Sequence, residues 1–491
     1  MRELQLAFIS NRTTSRLFQI LSVIERDRRF TIGELAEQNQ VTQRTIANDI
    51  KYIKEYFAES ILLSSGNKGF LFEETQPFIY QKKKRNLLEN ECLFEIIGNI
   101  FNGKLLTIDE LAHQYHFSES TFRRLLGQTN HTLKSYGLRW ESNPLTIAGN
   151  EANLRKFFKD FYYEGVETAY TLLPDPALHQ LLIDQFKEKL GHYDIGSGTT
   201  PTSFHYTLYI AIQRASKGYS ITVPTKLAQM AYNGVDFPVL YSLKEGIKER
   251  YGTSLSREEF SWIYLVTVCK RTVNREDQER KFFDQFYTGT DMIQLTDDFL
   301  RERALSTENE EEVTHFLRSF FLSRRITDQL SPVLNKEMKD IKETLIEHDE
   351  ENYVRNYRFL QKHKKRLLTT YTYLDDVCVA LTIYSQLIFD LYSPVKTIYF
   401  LLEGDHFVCQ HIRTRATQLF GHKHSLTFVP LQQLTKEELN EAHIDLFVTN
   451  YNRYILDYMI ETDYLLMKAV PDEQDWTNLK RKIDSHRRDF F

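Results

Sequence analysis

The feature that most restricts the fold of this chain is a repeat within its first 150 residues. Residues 31–36 read TIGELA, and residues 107–112 read TIDELA, 76 positions later. The same offset aligns residues 41–46 (VTQRTI) with residues 117–122 (FSESTF). Because two segments match at one offset, a duplicated structural unit is a better explanation than chance similarity. We therefore expect the chain to begin with two copies of one small domain.

Each copy has the pattern of a helix-turn-helix. A Thr-x-x-Glu capping box, which marks the first turn of a helix, starts at Thr31 in one copy and at Thr107 in the other. A short polar turn and one apolar residue follow. A second capping residue then stands at Thr42 or Ser118, where the next helix should begin. The pattern predicts two short helices joined by a tight turn in each copy.

The second helix of the first copy is predicted to bury one face and present the other to DNA. Its apolar stripe has helical spacing and consists of Ile46, Ile50, Ile53 and Phe57. Polar and basic side chains on the other face can reach base edges and phosphates. The predicted DNA-binding residues are Thr42, Gln43, Arg44, Thr45, Asn48, Lys51 and Lys54 in the first copy, and Ser120, Arg123 and Arg124 in the second. Because Glu119 shares the second face, that copy is expected either to bind DNA weakly or to serve mainly in packing.

A predicted β-hairpin follows each helix-turn-helix and would form its wing. Residues 61–73 read as strand, Gly-Asn-Lys-Gly turn and strand, and residues 138–148 show a similar pattern. Lys68 lies in the first turn and is a further candidate for DNA contact. The basic run 82–85 lies between the copies. It fits either phosphate contact or, the favoured alternative, a solvated helix face.

Composition limits what the whole chain can do. Its formal net charge is −5, whereas residues 1–150 hold 19 basic and 17 acidic residues. DNA contact must therefore come from a local surface. The four cysteines are too far apart for a Cys-x-x-Cys metal site or a disulfide framework. Since no signal peptide and no apolar run of about 20 residues is apparent, the sequence predicts a cytoplasmic protein with no membrane segment, metal or cofactor.

The middle of the chain is predicted to be helical and to contain a second, weaker repeat. His205 and His315 each precede an arginine by nine residues, and each is followed later by an acidic helix start and an apolar helix. Two copies of one helical bundle are therefore expected. A neutral imidazole is nucleophilic near pH 7 and can accept a phosphoryl group. A histidine on an apolar helix is more often a packed core residue, and the spacing alone does not decide between these roles.

The last hundred residues are predicted to form a small parallel α/β domain. β-rich runs at 395–402, 426–429 and 444–449 are separated by stretches long enough for helices. The turn after the first run, at 403–405, is acidic and so does not suit phosphate binding. The tail from about residue 460 is predicted to be helical.

The order of these parts resembles the Mga/AtxA family of global virulence transcription regulators of Gram-positive bacteria. The expected fold is mainly α and multidomain, with two winged helix-turn-helix domains, two helical bundles similar to phosphotransferase-system regulation domains (PRDs), and a small α/β domain similar to an enzyme IIB component. The corresponding boundaries are 1–76, 77–150, 151–296, 297–392 and 393–491.

The resemblance implies a regulator of transcription that binds duplex DNA with little base specificity and forms homodimers or higher assemblies. It also implies control by phosphocarrier proteins of the sugar phosphotransferase system, with His205 and His315 as the candidate phosphorylation sites. The second histidine position of each bundle holds Cys269 or Tyr384 instead, which puts full four-site control in doubt. The C-terminal domain lacks the phospho-accepting cysteine and is expected to serve in protein interaction.

Two other functions fit parts of the sequence. An RNA-binding antiterminator would carry the same central bundles, but it would need a β-rich domain where this chain has capped helices. A phosphoryl-transfer enzyme would need a nucleophile in a phosphate-binding loop, and no such loop is apparent. The sequence therefore favours a DNA-binding regulator over an enzyme. Its affinity for unrelated duplexes at rising salt is the best test of this prediction.

Overall fold

The computed structural model describes residues 3–66, 69–190, 197–303, 310–337, 339–392, 394–429, 443–457 and 463–483. The chain forms two compact units, one from residues 1–295 with 315–385 and the other from residues 296–314 with 386–491. Across the described ranges, no helix combines the length and the apolar character needed to cross a lipid bilayer.

The first winged unit consists of three helices and a small antiparallel sheet. After α1 (Glu3–Leu6), its elements are α2 (Arg12–Asp27), β1 (Arg29–Phe30), α3 (Ile32–Gln38), α4 (Gln43–Phe57), β2 (Ile61–Gly66) and β3 (Gly69–Glu74). The strand order is β1-β3-β2. The isoleucine stripe of α4 packs with apolar residues of α2 and α3 and with Phe72 of β3 in one core. This confirms the predicted helix-turn-helix with its wing.

The second winged unit repeats this plan. Its elements are α5 (Pro77–Asn86), α6 (Cys92–Phe101), α7 (Ile108–Gln114), α8 (Glu119–Gln128), α9 (Asn130–Lys134), β4 (Arg139–Ser142), β5 (Leu145–Ala148) and α10 (Glu151–Tyr162). Helix α10 begins directly after the hairpin, and its Phe158 and Phe161 pack against Phe101 and Phe94 of α6. Aromatic packing thus joins α10 to the core of the second helix-turn-helix.

The middle of the chain is helical, as predicted. Its helices are α11 (Pro176–Leu190), α12 (Pro201–Ser216), α13 (Thr225–Tyr232), α14 (Phe237–Tyr241), α15 (Leu243–Tyr251), α16 (Arg257–Val268), α17 (Glu276–Phe286), α18 (Asp291–Arg301), α19 (Glu310–Leu330), α20 (Lys339–Leu367) and α21 (Leu374–Tyr392). Short 3₁₀ turns at Ala58–Ser60 and Pro332–Asn335 complete these regions. Helix α20 has a non-helical residue, Asp349, in its interior.

The C-terminal residues form a parallel sheet with helices. The elements are β6 (Thr397–Leu401), α22 (His406–Phe420), β7 (Ser425–Phe428), β8 (Leu446–Thr449), α23 (Asn452–Asp457), β9 (Tyr464–Leu466) and α24 (Glu473–Ile483). All pairings in the order β7-β6-β8-β9 are parallel. The helix predicted between β7 and β8 falls in 430–442, outside the described residues.

The predicted helical tail is wrong at its start. Tyr464–Leu466 form strand β9 beside β8, and a helix begins only at Glu473. The segment is too short to show the period-2 pattern of a strand, so its pairing with an existing sheet edge, rather than its local sequence, decides its structure.

Candidate nucleic-acid interface

The two helix-turn-helix motifs begin with the same capping geometry. The Thr31 amide donates to Glu34 Oε2 at 2.8 Å, and the Glu34 amide donates to Thr31 Oγ1 at 3.2 Å. In the second copy, the Thr107 amide donates to Glu110 Oε2 at 2.7 Å. The hydrogen bond from the Thr107 amide lowers the pKa of the Glu110 carboxyl. Both capping boxes read from the sequence are therefore formed.

The turns of the two motifs also match, residue by residue, at the offset of 76. Gln40 and His116 both have positive φ, 54° and 58°, a conformation that side-chain-bearing residues seldom adopt. One residue later, the Val41 amide donates to the Ala36 carbonyl at 3.0 Å. The equivalent bond from Phe117 measures 2.8 Å. The duplication therefore extends to unusual backbone angles that the sequence did not specify.

Helix α4 presents the face predicted to contact DNA. Ile46, Ile53 and Phe57 are buried on its inner side. The exposed predicted residues are Thr42, Gln43, Arg44, Asn48, Lys51 and Lys54. Thr45 is half-buried because it lies at the helix start, where its amide donates to Thr42 Oγ1 at 3.3 Å. Hence the N-cap residue Thr42 fixes the helix, and the neighbouring side chains remain accessible to a ligand.

The cations on this face are available for phosphate. Within the described part of the chain, Arg44 and Lys54 form no ion pair. Lys51 lies 3.9 Å from Glu55, but both side chains are largely exposed, so this pair contributes little and can be exchanged for a phosphate contact. A helix with three exposed cations and two exposed amide side chains suits a DNA groove.

A partly buried ion pair that the sequence did not reveal holds α4 in place. Arg16 of α2 donates from Nε to Asp49 Oδ2 at 2.6 Å and from Nη2 to Asp49 Oδ1 at 3.0 Å. Asp49 follows Ile46 by three residues and precedes Ile53 by four, so it lies at the edge of the apolar stripe. An acidic residue at such a position is a signal for a buried cationic partner.

The corresponding face of α8 is weaker in charge. Ser120 and Arg124 are exposed, but Arg123 donates to Glu119 Oε1 from Nε at 3.0 Å and from Nη2 at 2.5 Å. The offset of 76 also places Ser120 where the first copy has Arg44. One of the two predicted cations of the second copy is therefore already occupied by a carboxylate.

Helix α8 is also shorter than α4. It ends before Thr129, which is buried, donates to the Leu126 carbonyl at 2.8 Å and accepts a hydrogen bond from Trp140 Nε1 at 2.8 Å. Thr129 forms hydrogen bonds with both its own helix and the wing, and it interrupts the apolar stripe of α8 at this point. The second copy thus offers a shorter and less basic surface than the first.

The first wing approaches the start of α3 at Gly69. Lys68, the residue predicted to contact DNA from this wing, lies outside the described residues. In the sequence it lies between β2, which ends at Gly66, and β3, which begins at Gly69 with φ of 101°. A Cβ at Gly69 would lie 2.4 Å from the Phe30 carbonyl oxygen, so this position requires glycine.

The basic run 82–85 serves mainly within the protein. Lys84 is buried, and its Nζ lies 2.6 and 2.9 Å from the two carboxylate oxygens of Glu25. Lys83 donates to the Phe57 carbonyl at 3.0 Å, and Arg85 pairs with Glu167. The favoured interpretation of a simple solvated face is therefore wrong for Lys84, which neutralises a carboxylate on α2.

His205 is half-buried at the side of α12. Its Nε2 lies 3.4 Å from Nδ1 of His179, and the two rings meet edge to face. Burial lowers the pKa of His205, and the nearby His179 lowers it further. The ring is therefore predominantly neutral at pH 7, the form that has a nucleophilic nitrogen.

His315 of α19 has an acidic neighbour. Its Nδ1 lies 2.9 Å from Glu276 Oε1. Cys269 and Tyr384 stand where the family resemblance implies second histidines. Burial raises the pKa of Cys269 to about 12, which keeps its thiol protonated. Tyr384 donates its hydroxyl to the Thr272 carbonyl at 2.7 Å. Neither side chain offers a nucleophile near pH 7.

The architecture of residues 12–162, with two capped helix-turn-helix motifs that each carry a wing, defines a helix-turn-helix DNA-binding protein. The Mga helix-turn-helix domain matches residues 80–162, which include α10, and a helix-turn-helix domain matches residues 16–70. The chain thus contains a Mga helix-turn-helix domain and a second helix-turn-helix domain, and it is similar over nearly its whole length to proteins named as positive regulators.

Relatives in Bacillus anthracis align with most or part of the chain. Capsule synthesis positive regulator AcpB is 22% identical over 96% of this chain and 98% of its own length. The anthrax toxin expression trans-acting positive regulator is 22% identical over 95% of this chain and 98% of its own length. Capsule synthesis positive regulator AcpA is 24% identical over 54% of this chain and 56% of its own length.

Proposed function

We propose that the protein is a positive regulator of transcription that inserts α4 of its first winged unit into a major groove of duplex DNA. The observation that carries this proposal is the exposed face of α4, on which Arg44, Lys51 and Lys54 lie opposite the buried isoleucine stripe. Relatives named as positive regulators of capsule and toxin expression support activation.

Low sequence specificity is part of the proposal. Most of the polar groups on α4 suit phosphate, and the amide side chains Gln43 and Asn48 are the residues best suited to read a base edge. With so few base-reading groups, affinity should depend chiefly on phosphate contact and on the shape of the duplex. The second winged unit, in which Glu119 occupies Arg123, adds a weaker contact.

Fluorescence anisotropy with unrelated 30-base-pair duplexes tests this function. We expect Arg44→Ala and Lys51→Ala each to weaken binding about tenfold on every duplex, since each removes one phosphate contact. Lys248→Ala is the matched control, because Lys248 is exposed on α15 in the central helices. Equal affinities for all three variants and the parent chain would contradict the proposal, and tighter binding of a hairpin RNA would favour the antiterminator alternative.

We further propose that His205 and His315 accept phosphoryl groups from phosphocarrier proteins of the sugar phosphotransferase system. The neutral, half-exposed ring of His205 supports this role, and the carboxylate of Glu276 beside His315 can orient that ring. In this proposal the central helices form PRD-like bundles, and the C-terminal parallel sheet is an enzyme IIB-like interaction domain. The protein then acts in the cytoplasm as a homodimer or larger assembly, whose equilibrium a phosphoryl group shifts.

Mass spectrometry tests the phosphorylation. The full chain is incubated with a phosphorylated phosphocarrier, kept at neutral to basic pH and digested. We expect phosphate on the peptides that contain His205 and His315, and none on the peptide with exposed His422. Unmodified His205 and His315 peptides would remove the proposal, and an unchanged sedimentation coefficient after modification would remove its link to assembly.

A further inference from the structure

A cavity of about 190 Å³ lies where α10 of the second winged unit meets α12, α16 and α19. Its walls carry five cationic side chains but only two carboxylates. The cations are Arg155, Lys156, Lys159, Lys270 and Arg324, and the carboxylates are Asp160 and Glu164. Among the lining residues alone, the cations outnumber the carboxylates by three, and each buried charge in a protein normally has a partner.

Two of the cations are neutralised within the protein. Arg155 forms a double ion pair with Glu259, at 2.5 and 2.9 Å. Lys156 Nζ lies 2.7 and 2.8 Å from the carboxylate oxygens of Asp160. These pairs shape the walls of the cavity and leave Lys159, Lys270 and Arg324 to act on its contents.

Neither of the two remaining lysines forms an ion pair with a carboxylate among the described residues. Lys159 donates to the neutral hydroxyl of Thr207 at 2.8 Å, and Lys270 has no ion pair within the described residues. The Lys270 side chain is exposed and lines the cavity. Burial and then the proximity of Lys270 lower the pKa of Lys159 to about 7. An anion between the two lysines would relieve this repulsion.

Two buried donors on the cavity wall also lack acceptors. Arg324 is 7% exposed and Trp262 is 4% exposed. Among the described atoms, neither Arg324 Nε nor Trp262 Nε1 has a hydrogen-bond partner. Arg324 Nη1 lies 3.7 Å from Glu337, too far for a hydrogen bond. Buried donors without acceptors are rare and costly, so a ligand rich in acceptor oxygens is the natural complement.

We propose that this cavity binds a small metabolite that carries a phosphate group, with Lys270, Arg324 and Trp262 as donors to the phosphate oxygens. A phosphate dianion offers both the negative charge and the acceptor oxygens that the walls lack. The cavity is smaller than the ~300–1,000 Å³ of sites for drug-sized ligands, which restricts the rest of the molecule to a few polar groups. The hydroxyls of Thr200, Ser203 and Tyr163 line the same cavity and suit such groups.

Titration calorimetry of the full chain, without DNA, tests the site. The probes are inorganic phosphate, glucose 6-phosphate and glucose, at an ionic strength held constant with chloride. We expect both phosphate compounds to bind and glucose to give no heat of binding. Glucose 6-phosphate binding more tightly than phosphate would place an organic phosphate in the site; equal affinities would still support the phosphate contacts. Absence of binding by both, or equal binding of glucose, would overturn the proposal.

Matched variants locate the binding. Lys270→Gln should weaken phosphate binding at least tenfold, whereas Lys248→Gln on α15 should leave it within twofold. Lys248 is exposed on α15, so Lys248→Gln should not alter the thermal unfolding of the phosphate-free chain, and Lys270→Gln should not lower its midpoint, because that change removes the repulsion between Lys270 and Lys159. Trp262→Phe keeps the ring but removes its donor, and about fivefold weaker binding is expected. If Lys270→Gln and Trp262→Phe bind phosphate as the parent chain does, the assignment is wrong, and this result has no bearing on DNA binding.

Discussion

The ion pair between Arg16 and Asp49 gives a quantitative prediction for the helix that should contact DNA. Asp49→Ala removes two charge-assisted hydrogen bonds, of 2.6 and 3.0 Å, between α2 and α4. The Arg16 side chain is 21% exposed and that of Asp49 is 9% exposed. Exposed pairs contribute below about 1 kcal/mol, and breaking a fully buried pair costs about 3–5 kcal/mol. An intermediate loss of about 2 kcal/mol is therefore expected.

Hydrogen exchange in the full chain measures this loss where it occurs. A change of about 2 kcal/mol corresponds to roughly 30-fold faster exchange of the protected amides of α4, if opening is at equilibrium. Amides of the second winged unit should not change, because they belong to a separate core.

The control for this experiment is Asp27→Ala. Asp27 pairs with Arg26 at 2.7 Å, but the two side chains are 39% and 69% exposed. The change should cost less than about 0.5 kcal/mol. If Asp49→Ala left exchange in α4 at the level of this control, the claim that a buried pair positions the helix would be refuted.

Three further changes test other parts of the structure. Gly69→Ala should destabilise the first wing by about 1–3 kcal/mol, seen as faster exchange of its strand amides, because its positive φ and close contact exclude a Cβ. Lys84→Met should cost about 2 kcal/mol because it removes the cationic partner of Glu25, which keeps its hydrogen bond from the Tyr80 hydroxyl, whereas exposed Lys82→Met should be neutral; equal urea midpoints would contradict this. Lys159→Met should stabilise the phosphate-free chain most below pH 7, where the buried amine is charged in the folded state. Since the lysine pKa is lowered from its usual value to about 7, the unfolded chain binds more protons between pH 7 and 10.5, so the advantage should shrink over that window in thermal unfolding.

The sequence predicts much of the winged units because their signals are local. Each signal spans about a dozen residues or fewer: the capping boxes, the helical apolar stripes and the Gly-containing hairpin turn. The structure confirms α4 with its buried isoleucines, and confirms the parallel sheet from its apolar runs. The repeat strengthened the prediction of winged units, because both copies had to fit the same geometry.

The parts that the sequence did not reveal depend on residues far apart in the chain. Arg155 pairs with Glu259, 104 residues away, and the orphaned donor on Arg324 becomes apparent only when α10 and α19 are in place. Likewise, the basic run does not show that Lys84 is buried, because its partner Glu25 lies 59 residues earlier in the chain. Charged residues look alike in sequence whether they face solvent or a buried partner, so only tertiary structure separates them.

The most direct test of the central claim is photo-crosslinking from α4 to DNA. A photoreactive amino acid placed at Asn48, in the middle of the exposed face, should crosslink to a duplex, and unlabelled duplex should abolish the product. The same group at Glu249, exposed on α15, should give none. Equal crosslinking from both positions, or none from Asn48 under conditions where the chain binds DNA, would contradict the assignment of α4 as the helix that enters the groove.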